Sequence, residues 1–73
     1  MNTYQFDICS DAVATREILD APDDAAAIRQ ALLLMSEILR DHALSSRGEV
    51  ALIILVCDDA GHAIWSGEAS GKI

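Results

Sequence analysis

The chain has 73 residues and a mass of 7.8 kDa, with twelve acidic and five basic side chains, a net charge of −7 and a pI near 4.3. Apolar residues make up 52%, too many for a disordered chain and enough for one small core. The charge repels phosphate backbones, so nucleic-acid binding is not expected. The longest apolar run, Val50 to Cys57, is far short of the ~20 residues that span a bilayer, so no membrane association is expected either.

Residues 3–9 alternate: Tyr4, Phe6 and Ile8 point one way, Thr3, Gln5, Asp7 and Cys9 the other. That is the pattern of a half-buried strand. Ser10-Asp11 reads as a turn, and Val13 to Leu19 as a second strand. Pro22 suits a helix boundary, and the Asp23 carboxylate can accept orphan amide protons as the N-cap. The helix is expected to run to about Leu44, with an apolar stripe of Ala25, Ile28, Leu32, Met35 and Leu39, flanked by Ala31 and Ile38. Leu33 falls on the polar side of that stripe. Asp23 and Asp24 at the start, with Arg40, His42 and Arg47 near the end, complement the helix dipole.

Ser45 to Gly48 forms a connector, and Val50 to Cys57 a strand that is apolar at every position. Asp58-Asp59-Ala60-Gly61 is a hairpin turn with Gly61 free to take a positive φ. His62 to Ser66 makes the last strand, and Gly67 to Ile73 is polar and small enough to fray. The expected fold is therefore α+β: a four-stranded antiparallel sheet, strand order 2-1-3-4, with one helix packed on one face. It forms a single domain over residues 1–73.

The chain resembles short, uncharacterised bacterial domains of unknown function with β-β-α-β-β order. The resemblance rests on the aromatic first strand with its acid (Tyr4, Phe6, Asp7), on Pro22-Asp23 before an alanine-rich helix (Ala25, Ala26, Ala27, Ala31), and on the turn Asp58 to Gly61. Members usually carry glycine in the first hairpin, whereas Ser10 to Arg16 has none. The resemblance implies the fold and no activity. A fainter similarity is to antitoxin-like domains built from a small sheet and one covering helix.

No constellation points to catalysis. Cys9, Cys57, His42 and His62 form no CxxC or HxxxH pair of the kind that holds zinc. Cys9 and Cys57 end antiparallel strands, on the order of 20 Å apart at ~3.3 Å per residue, and are expected to be buried, reduced and inert. Asp58-Asp59-Ala60-Gly61 lacks the alternating acids and closing glutamate of a calcium loop. No GxSxG elbow, Walker loop or dinucleotide fingerprint occurs. No enzymatic activity, cofactor or metal is expected. With two cysteines and no signal-peptide pattern at Met1 to Asp7, the chain is expected in the cytoplasm.

One helix covers one face of a sheet, yet the strand Val50 to Cys57 is apolar on both. Val50, Leu52, Ile54 and Val56 share one face; Ala51, Ile53, Leu55 and Cys57 share the other. Which set meets the helix is open, and the uncovered set is expected to form an interface. The expectation is a homodimer through Ala51, Ile53 and Leu55, extended by Trp65. The alternative is an antitoxin-like inhibitor that binds a basic protein through the acids of its first third, Asp7, Asp11, Glu17, Asp20, Asp23 and Asp24. A small ligand at the dimer seam is a weaker third reading.

Overall fold

The computed structural model describes residues 1–10, 13–44 and 49–72. Its elements are β1 (Asn2–Ser10), β2 (Val13–Ala21), α1 (Asp24–Leu44), β3 (Glu49–Cys57) and β4 (Ala63–Lys72). They form one antiparallel sheet of order β2-β1-β3-β4. Long strands make the molecule elongated, 38 × 18 × 15 Å. The fold class and strand order are those the alternation and turn signals imply. The turn at Asp11, the connector at Ser45 to Gly48 with Arg47, and Ile73 lie outside the described residues, as does the side chain of His42.

Register decides which apolar set is covered. Phe6 pairs with Val56 and Ile8 with Ile54, so Tyr4, Phe6 and Ile8 share a face with Leu52, Ile54 and Val56. This face carries the core, and among its residues Tyr4, Phe6, Leu52, Ile54 and Val56 are at most 1% exposed. Ala27 and Ala31 of α1, both 0% exposed, meet them. Two residues without bulk let the helix axis approach the sheet closely.

The helix is therefore rotated from its expected stripe. Ala27, Ala31, Leu34, Met35 and Ile38 face the sheet, with Ala26 and Leu39 beside them. Leu32 is 50% exposed and Ala25 is exposed, so neither belongs to the core. Leu33 is exposed, as its position among polar residues implied. The start of α1 matches the expectation: the Ala26 amide donates to Asp23 Oδ1 at 2.8 Å. Tyr4 adds a second tie, its hydroxyl donating to Asp24 Oδ1 at 2.6 Å and joining the sheet to the first turn of the helix.

The last strand departs from the reading twice. It continues through Gly67 to Lys72, where fraying was expected, because each residue there pairs with β3, from Ile54↔Gly67 to Glu49↔Lys72. It also carries one extra residue: Val56 pairs with Trp65 but Cys57 with Ala63. Such a bulge bends a strand and re-aims its side chains. Adjacent Ile64 and Trp65 accordingly both pack against the core. The Trp65 ring covers Gly67, where an added Cβ would lie 2.7 Å from Cζ2.

The second hairpin closes as expected. The Gly61 amide donates to the Asp58 carbonyl at 3.0 Å, and Gly61 holds φ at +85°. Asp58 Oδ1 accepts from the Ala60 and His62 amides at 3.0 and 2.8 Å. The aspartate thus satisfies turn donors, which is a structural role.

Candidate interface on the open sheet face

The face away from α1 is built by the alternate residues of the same strands. Pairing aligns them in rows: Ala14, Cys9, Ile53 and Glu68 in one, Arg16, Asp7, Leu55 and Ser66 in the next. Ile18 pairs with Gln5 and Ala51 with Ser70 beyond them. No element lies over this face among the described residues. Ile53 keeps 49% and Ile18 59% of its surface exposed, and Leu55 is half-buried.

The rows border a shallow depression of about 440 Å³ lined by Asp7, Cys9, Ala14, Arg16, Ile53 and Leu55, together with the neighbouring Ile8 and Thr15. Within this lining Arg16 Nε donates to Asp7 Oδ1 at 2.9 Å, and Gln5 Nε2 donates to Asp7 Oδ2 at 3.3 Å. The depression is thus apolar with one neutralised ion pair.

Of the residues expected at the interface, Ala51, Ile53 and Leu55 share this face. Trp65 does not. It pairs with Val56 and lies on the helix side, so it belongs to the core and not to the open patch. It was expected there as an aromatic on the strand next to the apolar one, which does not fix the face it takes. Ile18, Ala14 and Cys9 were missed in turn. They belong to the patch because β1 borders the apolar strand and β2 borders β1, which only the pairing reveals.

The cysteines also differ from expectation. Cys57 is buried but Cys9 is exposed, in the depression. Gln5 pairs with Cys57 and Cys9 with Ile53, so the thiols are four residues apart along paired strands, about 13 Å and not 20 Å. That still exceeds the span of a disulfide.

The described acids of the first third do not form one surface. Asp7 binds Arg16, Asp20 Oδ1 accepts from Thr3 Oγ1 at 3.0 Å, Asp23 caps the helix and Asp24 accepts from Tyr4. Glu17 pairs with Phe6 and so lies on the helix side of β2, while Asp11 is outside the described residues. Among the described residues, no group of three or more His, Cys, Asp or Glu side chains converges as metal ligands would. No described helix is long and apolar enough to cross a membrane.

A family model, the domain of unknown function DUF6894, matches residues 3–70. The chain belongs to the DUF6894 family. The match runs from the first strand into the last, so the β-β-α-β-β arrangement described above is that of the DUF6894 domain. No curated protein and no solved structure gives a significant match.

Proposed function

We propose that this DUF6894 domain is a non-enzymatic, self-associating module whose open sheet face forms a homodimer. The supporting observation is Ile53: it sits mid-strand in the sheet's interior, half exposed, within an apolar patch that no element covers among the described residues. Contiguous exposed apolar area of this kind marks interfaces on soluble proteins. An uncovered, uncharged β surface is also an aggregation hazard that a symmetric partner removes. Small domains gain from such association because their own cores are thin. The molecule's long side, 38 Å by 15 to 18 Å between Cα extremes, is of the order of the ~800 Å² per partner of a standard interface.

The same reading takes the module to work in the reducing cytoplasm, which is supported by thiols too far apart to bridge within one chain. Sedimentation of the wild type at micromolar concentration is expected to give a dimer, and Ile53→Lys a folded monomer. Cys9 should resist thiol labelling in the wild-type dimer and label readily in Ile53→Lys. A wild-type monomer sinks the proposal, and a dimer that survives Ile53→Lys moves the interface elsewhere.

A further inference from the structure

We propose that the two copies stack with their two-fold axis parallel to the strands, between β1 and β3, so that Arg16 of each copy reaches Glu68 of the other. This rests on the homodimer reading and assigns it a geometry. The strand order places Arg16 on the β2 edge and Glu68 on the β4 edge of the same open face. Over the two rows that hold the apolar centre, the β2 edge therefore carries a cation and the β4 edge an anion, while Asp20, four residues further along β2 on the same face, is held by Thr3. Both side chains are exposed.

A two-fold parallel to the strands exchanges the edges. It lays β2 of one copy over β4 of the other, at the ~10 Å separation of stacked sheets. Arg16 shares a row with Ser66, and Glu68 lies two residues further along β4, about 6.6 Å. Long side chains bridge that offset. The pair forms twice, once at each side of an apolar centre made by Cys9, Ile53 and Leu55. A two-fold running across the strands through the same depression does the opposite. It lays β2 on β2 and β4 on β4, and so sets each charge beside its own counterpart.

Asp7 bears on the same guanidinium. Its carboxylate accepts from Arg16 Nε, which is one of five N–H donors on that group. In the stacked pair Arg16 lies between Asp7 of its own copy and Glu68 of the other, so the burial of Asp7 over the apolar centre remains compensated. Charge complementarity of this kind fixes register and excludes wrong arrangements.

The test uses Arg16→Glu and Glu68→Arg, purified separately and checked for folding by circular dichroism. Each variant opposes like charges in its own homodimer, and its dimer dissociation constant is expected to rise by about tenfold or more. Mixed one to one, they place opposite charges at both contacts, and sedimentation should recover a 1:1 dimer close to wild-type affinity. Should Arg16→Glu fold poorly beside Asp7, Asp7→Asn is added to it, which removes the repulsion within the chain. A wild-type dimer whose two variants stay dimeric alone, or fail to recover on mixing, overturns this stacking and leaves the homodimer standing. A monomeric wild type overturns both.

Discussion

On the helix side of the sheet, Leu52, Ile54 and Val56 are at most 1% exposed, while Ile53, one residue away on the same strand, keeps 49% of its surface. The side chains are of one chemical kind. What separates them is the neighbouring strand: β1 offers Tyr4, Phe6 and Ile8 to one face and Gln5, Asp7 and Cys9 to the other. The helix covers the face where two strands agree. The other face keeps an apolar centre beside a polar strand.

The largest effect should come from placing the same charge on each face. Ile54→Lys buries an unpaired ammonium among fully covered side chains, at a cost of several kcal/mol, comparable to the ~5–15 kcal/mol that holds a typical domain together. Far-UV circular dichroism should show it unfolded. Ile53→Lys should fold. Reversal of these outcomes would mean that the faces are wrongly assigned. The milder Ile54→Ala should cost about 2–5 kcal/mol by leaving a cavity.

Gly67→Val probes the covered face near its edge. The new Cβ meets the Trp65 ring, which must be displaced. Overpacking of this sort costs about 1–3 kcal/mol. Trp65 emission should shift to the red as the ring moves into water. In Trp65→Ala, the same Gly67→Val change should cost less, and an equal cost in both backgrounds would show that the ring does not matter.

This pair of residues also shows where sequence reading stops. The alternation at Tyr4 to Ile8, the Asp23 cap and the Asp58 to Gly61 turn were legible, because each rests on a few neighbouring residues. So was the existence of an uncovered apolar face. Its membership was not, since that depends on register. Pairing Phe6 with Val56 selects Leu52, Ile54 and Val56 for the core and carries Trp65 with them, while adding Ile18 and Ala14 to the open side. Nothing local in Gly67 to Lys72 announces a strand, with two glycines and no large apolar residue. Pairing to β3 supplies what propensity does not.

Tyr4 joins the covered face to the helix, and its contribution is readable through pH. The hydrogen bond to Asp24, reinforced by burial, raises the phenol above its ordinary pKa. A raised folded-state pKa means that the stabilisation is complete below the unfolded tyrosine's pKa of about 10 and is lost as pH rises through the folded value. Denaturant midpoints measured from pH 8 upward should therefore fall at the alkaline end. Tyr4→Phe should flatten that fall, and an unchanged slope would mean that another group causes it.

The smallest effect is expected on the outward side of the helix. Leu32 looks like a core residue in sequence, at helical spacing from Ile28 and Met35. In the structure the spacing that matters runs Ala27, Ala31, Leu34, Ile38, and Leu32 is half exposed. An alanine-rich helix start makes the two stripes hard to tell apart, because alanine fits either face and the bulky residues then dominate the pattern. Leu32→Ala removes a partly solvated side chain and replaces it with the better helix former, so its cost should stay within about 0.5 kcal/mol. Asp23→Ala removes a cap bond of 2.8 Å and should cost about 1 kcal/mol. Urea unfolding of the two variants ranks them directly. A Leu32→Ala loss of about 2 kcal/mol or more, the range of a buried leucine, would rotate the helix back to the stripe that spacing alone suggests and would expose Ala27 and Ala31 in its place.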